Sequence, residues 1–155
     1  MDTLRPYLPA DRDTCLQIFD SNTPRFFDSN TPRFFDPSER DKFARFLLDP
    51  VGSYFVVERE GEVLACGGYL VLADPSMAEL TWGMVSGNQH GNGLGRFLVL
   101  SRLDLMRELP HVSHAYINTS QLVQGFYAGL GFSLTRLKRD GHGVGIDSVE
   151  MTLKL

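Results

Sequence analysis

Cysteine is scarce in this chain: Cys15 and Cys66 are the only two among 155 residues. So sparse and so widely spaced a pair excludes a disulfide-stapled scaffold and predicts two unpaired thiols. Positive charge is not in excess either. Fifteen Lys and Arg against nineteen Asp and Glu leave a net charge of −4, which speaks against nucleic acid or an anionic membrane surface as partner. No apolar run approaches the ~20 residues of a membrane span. The opening Met1-Asp2-Thr3-Leu4-Arg5-Pro6 lacks the apolar centre of a secretion signal. A cytoplasmic location is the expectation. What remains is ordinary for a globular protein, with 43% hydrophobic and 22% charged residues, and is long enough to bury a core as one domain over 1–155.

The most informative stretch is Val85-Ser86-Gly87-Asn88-Gln89-His90-Gly91-Asn92-Gly93-Leu94-Gly95-Arg96. It joins an apolar, strand-like run at 80–85 to a helix-like run at 97–109. Glycines at 91, 93 and 95 strip side chains from a turn that opens a helix. Such a turn points backbone N–H groups outward, and the helix N-terminus adds roughly half a positive charge. Phosphate oxygens suit that surface; the competing reading is a glycine-rich connector with no ligand. A P-loop would end in Gly-Lys-Ser/Thr, but Gly95 is followed by Arg96 and Phe97. A dinucleotide fingerprint would read Gly-x-Gly-x-x-Gly, with several strand–helix units to follow. Here the spacing is Gly-x-Gly-x-Gly, and only the residues from 96 to 155 remain.

Taken in order, residues 3–8 read as an edge strand tolerant of Pro6. Pro9-Ala10-Asp11 opens a helix with Cys15, Ile18 and Phe19 on its apolar side. Residues 19–26 are then repeated without change at 27–34, and a third copy breaks off at Pro37. Solenoid units are longer and more numerous. The Ser-Asn-Thr-Pro in each copy is turn chemistry, which predicts a break in any helix there. A second helix follows from Pro37, with Phe43, Phe46 and Leu47 at helical spacing, ending at Asp49-Pro50. Strands are predicted over 53–59, 63–72 and 77–85, the first two joined by a tight turn at Glu60-Gly61-Glu62. Gly67-Gly68 suggests a bulge or a close backbone approach. After the glycine turn and its helix come a strand over 111–119, a short helix over 121–131, and closing strands over 132–139 and 149–155. Asp140 to Gly145 reads as a flexible link between the last two.

The segment His90-Gly91-Asn92-Gly93-Leu94-Gly95 resembles motif A of the GNAT superfamily of N-acetyltransferases, Gln/Arg-x-x-Gly-x-Gly/Ala. His90 departs from it at the first position. Gly125-Phe126-Tyr127-Ala128-Gly129-Leu130-Gly131-Phe132 resembles the family's closing Tyr-x-x-x-Gly-Phe motif, and the element order fits nearly throughout. The resemblance implies an α/β (α+β) fold of the acyl-CoA N-acyltransferase type. Its sheet is mixed and mostly antiparallel, of about seven strands flanked by about four helices. It also implies acetyl-CoA as acyl donor and a primary amine of a small molecule or protein as acceptor, joined in a ternary complex. His90, Gly91, Asn92, Gly93, Leu94, Gly95 and Arg96 would hold the pyrophosphate. The backbone of Gly83, Met84 and Val85 would meet the pantetheine and the acetyl carbonyl. Where the family often has an asparagine on the pantetheine arm, this chain has Ser120, with Asn118 two residues earlier. A homodimer is compatible with the family.

Aminolysis of a thioester needs a base, since an amine is protonated at neutral pH, and a carboxylate raised by burial can serve. Glu79 is the candidate, on the same alternation as Thr81 and Gly83 and thus expected on one face with Gly83; the competing reading is a solvated strand carboxylate. Tyr127 occupies the family's general-acid position, against a reading as a helix anchor. Trp82 is expected in the core. His111 and His114, three apart on a strand, face opposite sides, and with His142 they lack the carboxylate or cysteine cluster of a metal site. A second function class stays open, a binding module of the same fold that holds acyl-CoA without turnover.

Overall fold

The computed structural model describes residues 1–22 and 38–155. The duplicated octapeptide beyond Asn22, and the turn expected within it, lie outside them. In chain order the described elements are β1 Asp2–Pro6, α1 Arg12–Ser21, α2 Glu39–Leu48, β2 Ser53–Arg59, β3 Glu62–Val71, β4 Met77–Val85, α3 Leu94–Arg107, β5 His114–Thr119, α4 Gln124–Gly129, β6 Ser133–Gly143 and β7 Ile146–Lys154. One sheet takes all seven strands in the order β1-β2-β3-β4-β5-β7-β6. Every pairing is antiparallel except β4 with β5. This is the architecture that the resemblance implies.

Both faces of the central strands are covered, and the sequence shows why. Strand β3 runs buried without alternation from Leu64 to Gly68, as a strand between two helical layers must. Cys66 and its neighbour Val56 join Phe19, Phe43 and Leu47 of α1 and α2 on one face. Ala65 and Val57 join Leu94 and Leu98 of α3 on the other. Farther along, Leu103 and Met106 of α3 and Tyr127 of α4 close over Ala78, Leu80, Ala115, Ile117, Val149 and Met151. Cys15 and Cys66 are both free, fully buried thiols. The Cys66 thiol, hydrogen-bonded to it, and then burial push Cys15 above the ordinary thiol range.

Polar ties fix the edge. Arg5 of β1 bonds Asp11 at 2.8 Å, at the head of α1, and Glu58 of β2 at 2.7 Å, while Asp11 also accepts the Leu8 N–H. The expected flexible link at 140–145 is instead ordered pairing. Strand β6 continues to Gly143, and only Val144 and Gly145 turn. Asp140, at φ 56°, accepts the Gly145 N–H and gives its own N–H to Asp147, so side-chain capping replaces the disorder that so many glycines suggest. Strand β5 begins at His114, three residues later than expected, because the chain after α3 turns twice more through Leu109 and Val112. No helix among the described residues is long and apolar enough to cross a membrane.

Candidate active site

A bulge in β4 builds the site. Cys66 pairs with Met84 and Gly68 with Thr81, so Trp82 and Gly83 together stand opposite Gly67. Trp82 takes a left-handed φ of 43°, costly for a bulky residue. It is held there by its own surroundings. The Trp82 ring packs against Phe43 and Phe46 of α2, centroids 5.0 and 6.1 Å away, and its carbonyl accepts the Tyr54 hydroxyl at 2.8 Å. The tryptophan is in the core as expected, half-buried.

The bulge overturns one expectation. An extra residue inverts the alternation, so Glu79 and Gly83 do not share a face. Before the bulge, Ala78 and Leu80 face α3 while Glu79 faces away with its β5 neighbour Tyr116; after it, Gly83 and Val85 face α3 and Met84 faces α1 and α2. The two residues still line one cavity because β4 and β5 part. Their pairing ends at Glu79 with Tyr116. Beyond that point a cavity of about 700 Å³ opens between the strands, lined by Glu79, Gly83, Arg102, Asn118, Tyr127 and the glycine turn, among others.

At one end of this cavity stands the N-terminus of α3. Gly93 is the N-cap, at a left-handed φ of 82°, with no side chain to cap the helix. The first intrahelical bond runs from the Phe97 N–H to the Gly93 carbonyl at 3.0 Å. The N–H groups of Leu94, Gly95 and Arg96 therefore have no carbonyl within the helix. Nothing lies within 4 Å of where side chains at Gly91 or Gly93 would begin. Leu94 is buried below, and Arg96 is exposed above. Asn92 bonds Gln89 and accepts Arg59, which braces the turn. His90 lines the cavity too, but its Nε2 donates to the Val85 carbonyl at 3.1 Å, which Asn22 also bonds. The departure from the motif thus has a structural partner, and that carbonyl is occupied from within the chain.

Two titratable groups of the cavity are raised by burial. Glu79 is half-buried; desolvation, and behind it the Glu150 carboxylate, raise it above the ordinary carboxylate range. Tyr127 is 7% exposed. Burial raises its hydroxyl, and the charge of Arg102 pulls it back down. Ser120 is buried and lines the cavity, with its Oγ accepting the Leu122 N–H at 3.3 Å at the entry to α4. The carboxamide oxygen of Asn118 accepts the Ser148 hydroxyl at 2.9 Å and His142 Nε2 at 2.8 Å.

The sequence reading missed two residues here. For His142 the sequence suggests only a metal ligand to consider, and nothing in its glycine-rich surroundings signals a cavity position. Since both partners of its Nε2, Asn118 Oδ1 and the Thr119 carbonyl, are acceptors, that nitrogen carries the proton. Arg102 was legible. It stands on α3 between Leu98 and Met106 at spacings of four, within the apolar stripe, where a charge is out of place. His114, in contrast, bonds Ser113 away from the cavity.

A family model described as the acetyltransferase (GNAT) family matches residues 15–132. No curated protein sequence matches significantly. Among solved structures, a Desulfovibrio desulfuricans protein described as a GNAT-family acetyltransferase superposes with a TM-score of 0.80 at 19% identity, covering 99% of each chain. The ribosomal-protein-S18-alanine N-acetyltransferase of Escherichia coli gives 0.70 at 20% identity, over 99% of this chain and 94% of the other. A Salmonella typhimurium protein described as an acetyltransferase, solved with its cofactor acetyl-CoA, gives 0.69 at 19%, over 100% and 94%. At these identities the likeness is one of fold.

Proposed function

The chain belongs to the acetyltransferase (GNAT) family, and from that premise we propose that it transfers the acetyl group of acetyl-CoA to a primary amine, within a ternary complex. The observation that carries this reading is one shared cavity, which joins a bare helix N-terminus, an unpaired strand edge, a raised carboxylate and a buried tyrosine hydroxyl.

Each part has a task that its chemistry suits. The N–H groups at the start of α3, helped by the helix dipole, bind the pyrophosphate of the donor. The edge of β4 from Trp82 to Val85 lacks a β5 partner and offers backbone groups to the pantetheine arm. An N–H of that edge, at the thioester carbonyl, stabilises the oxyanion that forms on attack. Glu79 takes a proton from the incoming ammonium, so that a neutral amine attacks. The C–S bond then breaks, and the Tyr127 hydroxyl gives its proton to the leaving sulfur. Asn118 and Ser120 position the arm from the β5 side, and His142 borders the acceptor.

Calorimetry with acetyl-CoA, paired with thiol release across a panel of small amines and N-terminal peptides, tests this. The expected outcome is micromolar binding and amine-dependent release of free CoA. Binding without release for every amine would favour a non-catalytic acyl-CoA sensor, and failure to bind acetyl-CoA would end the proposal.

A further inference from the structure

Arg102 is the most deeply buried charge among the described residues, at 1% exposure. Its Nε donates to the Leu98 carbonyl at 3.1 Å and its Nη1 to the Gly68 carbonyl at 2.9 Å, but Nη2 has no partner within hydrogen-bond distance. A guanidinium does not lose its proton in a protein, and burying one without a counter-charge is expensive. The groups that act on it electrostatically are Tyr127, Tyr54 and Cys66, none of them a carboxylate. Tyr127 is the strongest of these.

The backbone is shaped around this side chain. A Cβ at Gly83 would stand 2.9 Å from Nη2, and one at Gly67 would stand 3.0 Å from the guanidinium carbon. Alanine at either site would push the guanidinium away, so two glycines facing each other across the bulge clear its seat. The β4 bulge, the Gly67–Gly83 gap and an unbonded Nη2 therefore converge on the inner wall of the cavity, beside the Tyr127 side chain.

We infer that Arg102 is a positioning residue of acetyl transfer, the permanent counter-charge for the negative charge that develops on the Tyr127 oxygen as its proton passes to the leaving sulfur. This rests on the reading of Tyr127 as the acid. In the step itself the sulfur leaves with the C–S electron pair and takes the tyrosine proton. The phenolate left behind is held by the Arg102 guanidinium, which already acts on the Tyr127 hydroxyl in the resting protein, until it is reprotonated. Without the cation, a hydroxyl so buried would be too weak an acid to serve. The burial cost of Arg102 is thus offset in the transition state rather than in the resting fold. Other titratable groups around the cavity are Glu79 of β4, His90 of the glycine turn, Arg96 of α3, Glu39 of α2 and His142 of β6, while β5 and β7 present apolar Ile117, Val149 and Met151 to Tyr127.

A double-mutant cycle tests this. Arg102→Met keeps volume and removes the charge; acetyl-CoA affinity should stay within about 3-fold while kcat falls 10- to 100-fold. Arg102→Lys should recover a third or more of the lost rate. In a Tyr127→Phe background, Arg102→Met should cost less than 2-fold. If Arg102→Met does not fold, Arg102→Gln, neutral yet still able to bond the Gly68 carbonyl, takes its place with the same expectations. Three results would overturn the inference: wild-type kcat in the neutral variant, an affinity loss equal to the rate loss, or an undiminished rate loss in the Tyr127→Phe background. A slow Tyr127→Phe with a fast Arg102→Met would remove the role of Arg102 alone. A fast Tyr127→Phe would remove the acid reading and this inference with it.

Discussion

Glu79 occupies the last paired position before β4 and β5 part, and both its partners raise its pKa: the protein interior first, Glu150 second. A raised carboxylate has a cost that depends on pH. The charged form is disfavoured in the folded state, so the penalty grows as pH rises through the unfolded value and is complete above the folded one. Glu79→Gln should therefore be more stable than the parent at neutral pH, by on the order of 2 °C in Tm, and no more stable below pH 4. Its rate should fall by roughly 100-fold near pH 7, where general-base help is worth most. That deficit should shrink as alkaline pH deprotonates the amine directly. Thermal melts and pH–rate profiles of one variant check both. A gain in stability matched by a loss in rate marks a group kept for chemistry.

At the scale of elements, α3 carries the glycines for two different reasons. Gly93 sits at a left-handed φ with open space around it, whereas Gly95 is already helical, with Phe126 at 3.6 Å from its absent Cβ. Gly93→Ala should thus cost about 1–2 kcal/mol from backbone conformation alone, and Gly95→Ala should leave the melting curve in place or raise it. Both should weaken acetyl-CoA in calorimetry, Gly95→Val more strongly than Gly95→Ala. If Gly95→Val binds as the parent does, the turn does not hold the phosphates. Strand β4 was legible to the residue, Met77 to Val85, because turn residues bound it on both sides. Its bulge was half legible: Gly67-Gly68 on the facing strand signalled an irregularity, but the left-handed residue is Trp82, which no propensity rule selects. Tertiary packing against Phe43, Phe46 and Tyr54 decides that conformation. Consequently Glu79 and Gly83 do not share the expected face, although both line one cavity. Arg102 was readable from its place in the stripe of α3, but its partners come from β3 and the bulge, which lie far off in sequence.

Across the whole molecule, one sheet is drawn together at a single short seam. Met77, Ala78 and Glu79 meet His114, Ala115 and Tyr116, and among the described residues no other ladder joins the first four strands to the last three. The molecule is in that sense two leaves, one of β1–β4 and one of β5–β7, hinged at the foot of an open wedge. A ligand lying in the wedge would bond along β4 where a strand would otherwise lie. It would then act as a removable eighth strand. Amide hydrogen exchange should show this directly, with protection gained on adding acetyl-CoA at 82–85 and 117–120, on both leaves, and little change in β1, β2 or β6. Protection confined to the start of α3 would mean that the ligand is held by its phosphates alone. Because α3 and α4 close over residues of both leaves, the protein should melt in a single transition with or without acetyl-CoA, and at a higher temperature with it.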